Sequence, residues 1–114
     1  MSERSDGAKV ITIPIVLTLD CSAGFLARCR KVAARSHMLV RTCEAASAWR
    51  TAVTLRPLVL MVPSNLHDRA PRRFNALATE AGARLVVLES EQIPLAEIEG
   101  YLSSALYAAR RARA

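Results

Sequence analysis

Three short stretches directly follow apolar runs in this chain, at the strand ends where side chains could do chemistry together: Asp20-Cys21-Ser22, Val62 to Asn65, and Glu89-Ser90-Glu91. Cys21 is the candidate nucleophile. A thiolate at a helix N-terminus has a lowered pKa, and the N–H groups there can cradle a phosphate. Asp20 opposes this, since a neighbouring carboxylate raises the thiol pKa and repels an incoming phosphoryl group. A Cys-x5-Arg phosphatase loop fails by one residue, because six residues separate Cys21 from Arg28. Asp20 alone lacks the partner carboxylates of a cation site, so no metal is expected.

The remaining reactive residue types are dispersed. Cys21, Cys29 and Cys43 form no Cys-x-x-Cys pair, which points to neither a disulfide framework nor zinc. His37 and His67 have no evident partners for a triad, and Gly24 and Gly82 stand outside any phosphate-binding motif. No cofactor is expected. The net charge of +6 comes from 16 basic and 10 acidic residues, with clusters at Arg72-Arg73 and at Arg110, Arg111 and Arg113. A basic excess suits acidic partners or nucleic acid. The second is disfavoured, because Phe25, Trp49, Phe74, Tyr101 and Tyr107 fall mostly on core-facing positions instead of beside the arginines.

The elements that must position these residues alternate regularly. Residues 1–8 are small and polar, a frayed terminus, and residues 9–114 read as one domain. Val10 to Leu19 is β-branched and apolar, with pairing expected from Ile15 because Pro14 lacks a donor. No charged leader or cleavage site flanks it, and no run reaches membrane-spanning length, so a cytoplasmic protein is expected. Asp20 and Ser22 are candidate caps for a helix burying Phe25, Cys29, Val32 and Ala33. His37 to Cys43 reads as a second strand. Residues 44–56 read as a second helix facing inward through Ala45, Trp49, Ala52 and Val53.

Leu58 to Val62 is a third apolar strand, followed by a loop through Pro63, Ser64, Asn65 and His67. Pro71 opens a third helix that Gly82 closes. Arg84 to Leu88 is a fourth strand, and Pro94 opens a last helix burying Leu95, Ile98, Leu102, Ala105 and Leu106. This (βα)4 alternation predicts a three-layer αβα, doubly wound parallel sheet of flavodoxin-like type.

Residues 15–62, VLTLDCSAGFLARCRKVAARSHMLVRTCEAASAWRTAVTLRPLVLMV with its preceding isoleucine, resemble the first half of a response-regulator receiver domain. The likeness lies in a strand ending in acid, a Phe-bearing helix, a V-x-T strand, an Ala-rich helix and L-R-P before an apolar strand. It extends more loosely over 72–106. The resemblance implies bacterial signal transduction, yet the family's chemistry does not carry over. Asp20 keeps one acid of the Mg²⁺-holding pair and Cys21 replaces the other. Val62 or Pro63 stands where the phosphoacceptor Asp belongs. Glu89 takes the switch Ser/Thr position, with Ser90 one place late, and Ile93-Pro94 replaces Lys-Pro.

VLTLDCSAG is also similar to the start of the IIB components of the sugar phosphotransferase system, which phosphorylate a Cys after strand 1. That resemblance would make Cys21 the phosphotransfer residue, although Phe25, Leu26 and Ala27 stand where such loops carry small hydroxyl residues. The expected function is thus a non-phosphorylatable pseudo-receiver working by protein–protein contact. Its interaction surface is expected on the last helix at Tyr101, Tyr107, Arg110 and Arg111. One βα unit fewer than a receiver would leave an open edge, suited to a protein partner or a homodimer.

Overall fold

A computed structural model describes residues 13–113; the expected frayed terminus at 1–8 and the segment Val10–Thr12 lie outside the described residues. Ile15–Leu19 (β1), Leu39–Cys43 (β2), Val59–Pro63 (β3) and Arg84–Leu88 (β4) form one parallel sheet in the order β2-β1-β3-β4. The helices are Ala23–Arg35 (α1), Ala48–Leu55 (α2), Ser64–His67 (α3), Pro71–Ala81 (α4) and Leu95–Arg113 (α5), with a 3-10 turn at Ala45–Ser47. This is a doubly wound, flavodoxin-like (βα)4 fold.

Alternation along the strands builds two apolar layers, because successive side chains leave opposite faces of a sheet. Val16, Val59, Met61, Val86 and Leu88 pack with Phe25, Cys29 and Val32 of α1 and with Ile98, Leu102 and Ala105 of α5. Leu17, Leu19, Leu60 and Val62 meet Ala48 and Ala52 of α2 and Phe74, Leu77 and Ala78 of α4. Thr18 is the buried polar residue of the sheet, and its hydroxyl donates to the Arg41 carbonyl at 3.4 Å. Burying a Leu, Val or Phe side chain contributes about 1.5–3 kcal/mol, so these paired layers carry the fold.

Four local readings are corrected. β2 begins at Leu39 because His37 turns the chain with φ 58°. The second helix splits into the 3-10 turn and α2; Ala48 and Ala52 are its buried residues, while Ala45, Trp49 and Val53 are half-buried. β3 runs one residue later, to the buried Pro63, a strand-end position where a missing N–H is tolerated. Ser64–His67 is one helical turn instead of a loop, closed by the Asp68 N–H donating to the Ser64 carbonyl at 2.8 Å.

The β4 edge is unpaired in the sheet, but Val86 and Leu88 are buried and Leu85 and Val87 half-buried. Among the described residues the large exposed apolar side chains are Ile13, Leu39 and Tyr107. Among the described residues no helix is long and apolar enough to cross a membrane.

Candidate functional site

In a doubly wound sheet the ligand crevice opens at the carboxyl ends of the strands where strand order reverses, here beside β1. Asp20, Cys21 and Ser22 leave β1 at that point. Ser22 caps α1, its Oγ accepting from the Phe25 N–H at 3.3 Å. Asp20 is not a cap of α1. Its backbone sits in the left-handed region at φ 51°, and its N–H donates to the Cys43 carbonyl at 3.1 Å. Its carboxylate accepts from the Ala45 N–H at 3.1 Å, tying the β1 end to the 3-10 turn after β2.

The amino end of α1 attracts an anion, since its first N–H groups have no helical partners and the first turn holds no acid. That anion comes from the β4–α5 loop. Glu91 Oε1 accepts from the Ser22 N–H at 2.8 Å, and the guanidinium of Arg28, further along α1, donates to the Glu91 carbonyl. Arg28 also lies over the Phe25 ring, 6.0 Å from its centroid.

Cys21 lies half-buried beneath this arrangement, its thiol donating to the Leu19 carbonyl at 3.6 Å. Burial first, then the Glu91 carboxylate, Cys29 and Asp20, push its pKa up to about 12, against a weaker downward pull from the Leu19 hydrogen bond. Cys21 is therefore a neutral thiol at pH 7. All three cysteines are free; burial likewise pushes Cys29 up to about 11 and raises Cys43.

The other sequence-derived positions share this edge without completing a reactive centre. Val62 and Pro63 are buried at the end of β3, with no oxygen to accept a phosphoryl group. Glu89 and Ser90 are exposed, and the Ser90 hydroxyl accepts from the Gln92 N–H at 2.9 Å. Asn65 is exposed. His67 turns to Asn75, 3.2 Å away, and to Asp68 at 4.0 Å. Among the described residues no three His, Cys, Asp or Glu side chains converge as a metal cluster.

The last-helix residues divide. Tyr101 is half-buried against the α1-side core, with its hydroxyl donating to Glu97 at 2.9 Å, so it is less exposed than expected. Tyr107 is 62% exposed, and Arg111 lies 5.7 Å over its ring while donating to its hydroxyl at 3.1 Å. Arg110 is exposed at the opposite end of the sheet, beside a cleft of about 670 Å³ that His37 and Arg56 also line.

Glu91 and Arg28 are the site residues that sequence reasoning passed over as a pair. The available signal was an α1 start with no acid of its own, which calls for one from elsewhere. Comparison with protein-family models, with curated proteins and with solved structures returns no match to this chain.

Proposed function

We propose that this protein is a non-phosphorylatable, receiver-like signalling module that acts through protein–protein contact. The observation that carries the reading is the Glu91 carboxylate on the Ser22 N–H, 2.8 Å away, where a phosphate would otherwise meet the helix. The chain supplies its own anion at the position that phosphotransfer through Cys21 needs free. The buried Val62-Pro63 pair, in place of an acceptor carboxylate, points the same way.

The rival thiol-phosphotransfer reading asks Cys21 to act as a thiolate. A pKa pushed up to about 12 leaves almost none of that form at neutral pH, which weighs against it. An exposed Tyr107 stacked with Arg111 is the kind of pair enriched at binding hot spots, and it makes the end of α5 one contact surface of the module. Three unpaired thiols suit a reducing, cytoplasmic setting.

The test is intact-mass spectrometry after incubation with acetyl phosphate and Mg²⁺, and separately with a phosphorylated donor protein of the sugar phosphotransferase system. No mass gain is expected in either arm. A phosphoryl gain abolished by Cys21→Ser would replace this reading with thiol phosphotransfer. A gain that survives Cys21→Ser would overturn it in favour of an active receiver.

A further inference from the structure

On the face opposite α1 and α5, a cleft of about 240 Å³ opens between α2 and α4. The alanines at 45, 46 and 48 give it depth by leaving out side-chain volume on the α2 side. Trp49, Leu66 and Phe74 supply its apolar walls, and Arg69 and Arg73 stand at its rim. Its volume falls below the roughly 300–1,000 Å³ of small-molecule sites, which suits one or two inserted side chains better than a whole small ligand.

The rim is unbalanced in charge. Among the described residues no carboxylate lies within ion-pair distance of Arg69 or Arg73, while the neighbouring Asp68 faces His67 at 4.0 Å. Arg69, Arg72 and Arg73 are all exposed. α2 and α4 each follow a strand of the same parallel sheet and pack side by side over it, so the furrow between them fits a third helix.

We propose that this cleft receives an acidic amphipathic helix of a partner protein, its apolar side chains entering beside Trp49 and Phe74 and its carboxylates meeting Arg69 and Arg73. Charge complementarity selects an acidic partner, and the apolar walls select a peptide over a phosphate backbone. This inference rests on the protein-contact reading and gives that reading a second surface and a partner chemistry.

Trp49 is the sole tryptophan of the chain, so its fluorescence reports on the cleft directly. The full chain is titrated with a capped helical peptide carrying Leu at i, i+4 and i+7 and Glu at its other surface positions. Parallel titrations use the same peptide with Lys for Glu and a single-stranded oligonucleotide. The acidic peptide is expected to give a saturable change that weakens as salt rises from about 0.05 to 0.5 M. The Lys peptide, or the double variant Arg69→Glu/Arg73→Glu, is expected to weaken binding by about tenfold or more. Both arginines are exposed, and circular dichroism checks that the variant keeps its helices.

No saturable change with the acidic peptide overturns the proposal, as does equal binding of the Lys peptide or tighter binding of the oligonucleotide. The phosphorylation assay separates this failure from failure of the parent reading. A silent titration without any mass gain removes the cleft alone, whereas a mass gain removes the non-catalytic module whatever the cleft binds.

Discussion

At the scale of single residues, Cys21 shows how a sequence-level rule can be outweighed locally. A helix N-terminus lowers a thiol pKa only while its N–H groups lack another anion, and here Glu91 already holds the Ser22 N–H. The opposing influence of Asp20 was legible because it is adjacent in sequence. Glu91 was not, because only the fold brings the β4–α5 loop back over α1. The raised thiol has a pH consequence of definite sign. Folding keeps Cys21 protonated, so that contribution is complete below the ordinary thiol value of 9.0 and is lost as pH climbs towards about 12. Urea-unfolding free energies should accordingly fall above about pH 9, and Cys21→Ala should make that fall shallower. At pH 8, Cys21 in the folded protein should react with a disulfide reagent roughly tenfold or more slowly than in urea; equal rates would refute the protonated, half-buried thiol.

At the scale of elements, helix ends divide into those written in residue type and those that are not. Gly82 closes α4 in the left-handed region at φ 73°, a position visible in the sequence because glycine is the residue suited to it. Arg56 closes α2 in the same region at φ 50° and gave no such signal, as Asp20 and His37 gave none at φ 51° and 58°. The strand and helix bodies and the exit of α2 before Pro57 were legible, while the start of β2, where His37 turns the chain, was misplaced. The single turn of α3 is too short to show a helical period, so its residues carry only loop signals in the sequence. The two caps predict opposite effects. Gly82→Ala should lower stability by about 1 kcal/mol, whereas Arg56→Gly should raise it by up to about 1 kcal/mol. Equilibrium denaturation of both variants checks the pair; the same sign for both would contradict the backbone conformations described.

At the scale of the whole molecule, two apolar layers share one sheet, and that sharing is what the sequence announced most clearly. Val16 and Leu17, like Val59 and Leu60, are adjacent in the chain yet feed opposite layers, which is why the strands are apolar without alternation. Leu102→Ala in the α5 layer and Leu77→Ala in the α4 layer should each cost about 2–5 kcal/mol, since both side chains are fully buried. With a common sheet, circular dichroism and Trp49 fluorescence should report one coincident transition in each variant. Separate transitions would mean that the layers melt independently. The candidate site was less legible than the fold because its partners, Ser22 with Glu91 and Asp20 with Ala45, are joined only after the sheet has formed.

The position of α5 also orders events at the ribosome. The α2–α4 layer draws on residues up to Leu85, so it can close while the chain is still being made. The α1 layer cannot close, because Ile98, Leu102 and Ala105 are synthesised after every strand they cover. Until residues 95–105 emerge, a nascent chain with its sheet assembled would leave the layer of Val16, Val59 and Met61 covered by α1 alone, a part-open adhesive surface of the sort that chaperones engage.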